Sequence, residues 1–127
     1  MIQVQTLLKV SDNSGGKTVR CLRILKKGGN SKHGKIGDVV VVSVQQIRSK
    51  KKVTSKVKRG EVLYGVIVKT RSFFRRRSGI SFCFAQNCVV LLNKQLKPFA
   101  TRVLGVMPKE LRKNKFSKII SLAVGTI

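Results

Sequence analysis

The sequence predicts a mainly β protein, a small barrel or sandwich with a short helical tail. Runs dense in β-branched residues recur from the N-terminus to residue 92, separated by clusters of Gly, Ser, Asn and Asp. Helix-starting signals occur only after Pro98. With 127 residues and 42% hydrophobic content, the chain suits one domain, 1–127. A domain of that length buries roughly two-thirds of its unfolded surface.

Taken in order, "QVQTLLKV" (3–10) alternates as a first strand. "SDNSGG" (11–16) gathers the residues that cap locally and tolerate positive φ, so it is a turn. "TVRCLRIL" (18–25) is a second strand and "KKGGNSKHGKIG" (26–37) a polar, glycine-rich loop. "DVVVVSVQQI" (38–47) is a well-buried strand. "RSKKKVTSKVKRG" (48–60) has seven cations in its first twelve residues and no helical stripe, so it is a loop or arm. "VLYGVIVKT" (62–70) is the next strand, and "ISFCF" (80–84) and "CVVLL" (88–92) read as two strands joined by a turn around Ala85 to Asn87. "KIGDVVVV" and "KRGEVLYG" each open a strand with a Gly–acid pair, which is turn chemistry used twice and too little for a repeat architecture. After Pro98, "MPKELRK" sets a proline near a helix start with Glu110 in the first turn. "NKFSKIISLA" places Phe116, Ile119 and Ile120 on one helical face, with Asn114 as N-cap. The tail, about 108–122, is two short helices or one with a break.

Charge sets the function class. There are 28 Lys+Arg against 4 Asp+Glu, a formal net charge of +24. That excess strains a compact state unless a polyanion neutralises it, and nucleic acid is the first candidate. No stretch approaches the ~20 apolar residues of a spanning helix, so no membrane partner is expected. The N-terminus begins directly in strand-like alternation, with no visible targeting peptide.

Catalysis has little to work with. His33 is the sole histidine, and Asp12, Asp38, Glu61 and Glu110 are scattered, with no acid–base pair and no metal-ligand cluster. Asp38 and Glu61 are expected to cap turns or pair with neighbouring cations. "SGGKT" (14–18) ends like a phosphate-binding loop, but the first glycine of that motif would fall on Ser11 and a strand follows where a helix is required. No catalytic residue, cofactor or metal is expected. Cys21, Cys83 and Cys88 are odd in number and contain no C-x-x-C pair, which points to reduced core thiols; a Cys83–Cys88 disulfide across a hairpin is the alternative.

The cations concentrate in connections. Lys26, Lys27, Lys32 and His33 lie in the glycine-rich loop, and Arg48, Lys50, Lys51, Lys52, Lys56, Lys58 and Arg59 in the second. Arg71, Arg75, Arg76 and Arg77 surround two phenylalanines, and Lys109, Arg112 and Lys113 lie in the tail. A solvated face is the ordinary explanation for one such run. Four runs with almost no balancing acid fit a phosphate backbone better, and the planar fork of arginine suits phosphate and stacks on bases. In "KTRSFFRRRSG" (69–79), Phe73 and Phe74 are expected at the tip of a hairpin between 69 and 80. They could stack on unpaired bases, wedge into a neighbouring protein, or fold one ring back onto the barrel.

Residues 65 to 91 resemble the signature of the universal large-subunit ribosomal protein fourteen family, bacterial and organellar type. "GVIV" (65–68) is followed after nine residues by "SG" (78–79), then Phe84, Asn87 and "VL" (90–91). Similarity continues in "MIQVQTLLKVSDNSG", the "GD" before the third strand, "KRGEVL", "TRVLGVMPKELR" and "KFSKIISLA". The resemblance implies a five-stranded β-barrel with a protruding hairpin and a small helical C-terminal part. It implies a non-enzymatic structural constituent that binds large-subunit rRNA near the subunit interface. Implied partners are neighbouring large-subunit ribosomal proteins, small-subunit rRNA through an intersubunit bridge, and a ribosome-silencing factor on a surface matched by Thr101, Arg102, Lys118 and Ser121. The basic stretch at 48–60 and the aromatic-rich 71–84 depart from the bacterial pattern. They lean towards an organellar ribosome, mitochondrion over plastid, with the bacterial cytoplasm as the alternative. The rival function is a free-standing basic single-strand-binding β-barrel, which would display aromatics along its strand faces.

Overall fold

In the computed structural model, which describes residues 1–25, 32–48, 55–112 and 116–127, the β-branched runs form strands β1 (Leu7–Val10), β2 (Gly16–Leu25), β3 (Val39–Ile47), β4 (Val62–Lys69) and β7 (Cys88–Leu92). These five close into a barrel in the order β1-β2-β3-β4-β7. Neighbours pair antiparallel except at the seam, where β1 meets β7 in parallel through Lys9–Cys88 and Val10–Val89. Two smaller sheets complete the described fold. One joins β5 (Phe74–Arg75) to β6 (Ser81–Phe82), and the other joins β8 (Val103–Met107) to β9 (Ala123–Thr126). A 3₁₀ turn (Lys109–Arg112) and helix α1 (Ser117–Ser121) lie between β8 and β9.

Alternation decides what each strand buries. Along β3, Val40, Val42 and Val44 are buried inside the barrel, while Val39, Val41, Ser43 and Gln45 are half-exposed. Ile2, Leu8, Val10, Val19, Cys21, Ile67, Val89 and Leu91 join them in the same core. β4 and β7 must be apolar on both faces, because their outer sides (Val66, Val68, Val90, Leu92) pack against Val103, Met107, Leu111, Ile119 and Ile120. That is why β7 reads as the unbroken apolar run CVVLL, buried at every position. Each such side chain removed from water contributes about 1.5–3 kcal/mol before ordering costs.

The Gly–acid turns work as expected. Asp38 Oδ2 accepts from Lys35 N at 2.7 Å, and Glu61 Oε2 from Lys58 N at 2.9 Å, each carboxylate capping the backbone three residues earlier. Gly37 and Gly60 supply the positive φ of these turns, +89° and +83°. In "SDNSGG" the result is a turn into β2, and it contains a buried acid. Asp12 Oδ1 accepts from Ser14 N at 2.9 Å and from Ser14 Oγ, while Oδ2 reaches across the seam to Leu91 N at 2.9 Å.

Three expectations require correction. ISFCF and CVVLL do not form a hairpin with each other: β6 pairs with β5 (Phe74–Phe82, Arg75–Ser81), and β7 pairs with β4 and β1. β7 needs two barrel neighbours to close the cylinder, so 80–84 is left to fold back on the preceding arm. The tail contains a 3₁₀ turn and a five-residue helix, but it also contains the parallel β8–β9 pair, in register Val103–Ala123. The proposed cap Asn114 lies outside the described residues. The cysteines are free and two are buried, but Cys83 is exposed on the arm.

Candidate nucleic-acid interface

Each of the four acids has a partner within the fold. Asp12 is fully buried at the seam, Asp38 and Glu61 cap turns, and Glu110 takes a bidentate arginine. Arg76 Nε lies 2.7 Å from Glu110 Oε1 and Nη2 lies 3.2 Å from Oε2. Arg76 Nη2 also donates to the Ile127 carbonyl at 2.7 Å, and its guanidinium covers the Phe82 ring at 4.5 Å. The hydrogen bonds Arg76 donates to Glu110 raise its pKa further and hold it charged. With the acids so engaged, the remaining surface charge is cationic and unbalanced.

The arm (69–84) explains the phenylalanine cluster. Phe74 packs on Phe82 at 5.6 Å between centroids, and Phe82 meets Phe84 edge-on at 5.7 Å. Lys69 covers the Phe84 ring at 5.7 Å, and Phe84 packs on the outer core of β4 and β7. The ladder Phe74–Phe82–Phe84 is thus the arm's own small core, aromatic because a two-stranded ribbon has little else to bury. The pair expected at a hairpin tip is divided: Phe74 belongs to this ladder, whereas Phe73 is 79% exposed. Neither is at the tip. The turn is made by 76–80, closed by Arg76 N–H to Ile80 O (2.9 Å) and by Gly79 at φ +83°.

The expected cationic residues fall into three groups. Lys32, Lys58, Arg59, Arg71, Arg75, Arg77, Lys109 and Arg112 are exposed. A second group has internal work: Arg48 Nη2 donates to the Val10 carbonyl at 3.1 Å, Lys56 Nζ to the Phe99 carbonyl at 3.4 Å, and Arg76 is clamped as described. His33 Nδ1 lies 3.1 Å from Gln3 Nε2, beside the bridge between Ile2 and Gly34. Lys26, Lys27, Lys50, Lys51, Lys52 and Lys113 lie outside the described residues. The sequence reading passed over Lys9, Lys17, Arg20 and Arg23, exposed on β1 and β2. Their alternation with buried Leu8, Val10, Val19 and Cys21 was the available signal, since a cation next to an inward residue on a half-buried strand must face out.

Thr101, Arg102, Lys118 and Ser121 are all exposed, and the fold draws them together. The Asn13 carboxamide oxygen accepts from Thr101 N (3.2 Å) and Arg102 N (3.3 Å), fixing the approach to β8. Val103 N then donates to Leu122 O at 3.0 Å, so Arg102 ends beside the end of α1, where Ser121 Oγ donates to Lys118 O at 2.8 Å.

A closed five-stranded barrel whose acids are engaged within the fold, and most of whose described cations are exposed, defines a small, strongly basic β protein. The family of ribosomal protein L14p/L23e matches the chain over residues 1–127, its whole length. The chain belongs to that family, a structural, non-enzymatic class of large-subunit ribosomal proteins.

Proposed function

We propose that this protein binds large-subunit rRNA near the subunit interface through its connections and the basic face of β1 and β2. The observation that carries the reading is the disposal of charge: four acids against 28 Lys+Arg, each acid engaged within the fold. Phosphate contacts from Lys58, Arg59, Arg71, Arg75, Arg77, Lys109 and Arg112 position the barrel, with few base-specific contacts. Lys26, Lys27, Lys50, Lys51, Lys52 and Lys113, which lie outside the described residues, add to the same positive charge. The whole chain acts as one unit. The C-terminal surface of Thr101, Arg102, Lys118 and Ser121 serves an intersubunit bridge with small-subunit rRNA and takes a ribosome-silencing factor, while neighbouring large-subunit proteins meet the arm and the tail. The size of the positive excess favours an organellar ribosome, a mitochondrial one first.

A free-standing single-strand binder is less well supported, because Tyr64 is the only aromatic residue on the five barrel strands. The test is equilibrium binding to a large-subunit rRNA transcript across a salt series. Neutralising about eight phosphates gives a slope of log affinity on log salt of roughly −6 to −7. A slope near zero would refute the reading.

A further inference from the structure

Phe73 has no place in the aromatic ladder, and its largely exposed ring stands at the edge of a cavity. It lines a cavity of about 420 Å³ at the base of the arm, together with Met1, Lys35, Ile36, Thr70, Ser72, Phe74 and Arg75. That volume falls within the ~300–1,000 Å³ of small-ligand pockets. Its chemistry is divided in a particular way. Phe73 offers an aromatic ring that is 79% exposed, Met1 and Ile36 an apolar wall, and Lys35 and Arg75 two cations. Ser72 Oγ donates to Thr70 Oγ1 at 3.3 Å, and Ser72 Oγ keeps acceptor capacity for a base-edge donor. No carboxylate lines the cavity. A larger groove of about 580 Å³ beside β4 and the 93–99 turn is lined by Glu61 and mostly apolar side chains, which suits a polyanion less well.

We propose that this cavity takes one unpaired nucleotide of an RNA strand, its base stacked on Phe73 and its phosphate held between Lys35 and Arg75. The inference rests on the rRNA-binding reading and adds a specific occupant to it. Stacking on an aromatic ring is indifferent to base identity, so the pocket recognises an extruded nucleotide as such rather than a sequence. Arg75 is exposed and lines the cavity, whereas its neighbour Arg76 is committed to Glu110. Phe74, next in the chain to Phe73, packs on Phe82 in the ladder, which anchors the backbone beside Phe73.

The experiment uses the full chain and two RNA hairpins that differ only by one bulged adenosine, measured by fluorescence anisotropy at fixed salt. Wild type is expected to bind the bulged hairpin about tenfold more tightly than the paired one. Phe73→Ala should abolish that preference while leaving the paired hairpin unaffected, and Phe73→Trp should retain it. The ring is mostly solvent-exposed, so neither change disturbs the fold. A wild-type protein with no preference, or a preference surviving Phe73→Ala, overturns the pocket assignment even though salt-dependent binding of the paired hairpin upholds RNA binding. Failure to bind either hairpin overturns both. A photo-crosslinking analogue at position 73 supplies the remaining distinction in purified large subunits: attachment to RNA supports the proposal, and attachment to a neighbouring protein refutes it.

Discussion

Asp12→Ala should be among the most damaging single changes in this chain, although it removes a small polar residue from a turn. Asp12 is fully buried, and its two oxygens receive Ser14 N–H, Ser14 O–H and, across the barrel seam, Leu91 N–H. Truncation leaves the Leu91 and Ser14 amides without their acceptors. Each buried unsatisfied donor costs about 1–3 kcal/mol, so the pair comes to about 2–5 kcal/mol once part of the strain relaxes. Asp12→Asn preserves the shape but turns an NH₂ group towards one of the two amides, donor against donor, and should cost about 2–4 kcal/mol by the same reasoning. The control is Asp38→Ala, a half-exposed turn cap whose amide water can reach, at about 1 kcal/mol. Urea denaturation monitored by circular dichroism reads all three. With a slope of about 1–3 kcal/mol per molar urea, Asp12→Ala should lower the midpoint by a molar or more. A loss for Asp12→Ala no greater than for Asp38→Ala would refute the idea that this carboxylate secures the seam.

Gly65→Ala would put a Cβ 2.6 Å from Val89 Cγ2 and 3.3 Å from the Val90 carbonyl, inside the β4–β7 contact, and should destabilise by about 1–3 kcal/mol in the same assay. Among the thiols, only Cys83 should react with iodoacetamide in the folded protein, as mass spectrometry would show, because Cys21 and Cys88 are buried. Burial raises both buried thiols above their ordinary pKa, with a backbone hydrogen bond to Arg23 partly opposing this at Cys21 and nearby Lys69 and Lys9 at Cys88. The folded chain therefore holds these protons more tightly than the unfolded one. Their stabilising contribution is full below the unfolded value, about 8.5, and is lost as pH rises through the folded values, so the urea midpoint should decline in alkali. Arg76→Lys loses the bidentate fork to Glu110 and should speed tryptic cleavage after Arg77 while leaving the barrel's urea midpoint unchanged.

The barrel was legible because its strands obey local rules. Val40, Val42 and Val44 alternate with outward residues, and the Gly–acid turns before β3 and β4 state their own geometry in four residues. The parts that escaped depend on partners distant in sequence. The β8–β9 pair joins Val103 to Ala123 in parallel, and "RVLGVM" has neither the length nor the β-branched density to announce it. Assigning ISFCF to a hairpin with CVVLL followed sequence proximity, whereas barrel closure gave both neighbours of β7 to β4 and β1. For the interface, residue type was legible and employment was not. Arg48, Arg76 and Arg77 look alike in the sequence, yet Arg48 caps a β1 carbonyl, Arg76 clamps the arm, and Arg77 is exposed. Only the fold reveals which cations are already occupied.

The most direct test of the central claim is sedimentation of the tagged protein from its native source through a high-salt sucrose gradient. Co-migration with the large subunit, retained after the salt wash and lost after ribonuclease treatment, is the expected result. Recovery near the top of the gradient, or release at moderate salt, would contradict the claim that this basic barrel works as an rRNA-bound constituent of the large subunit.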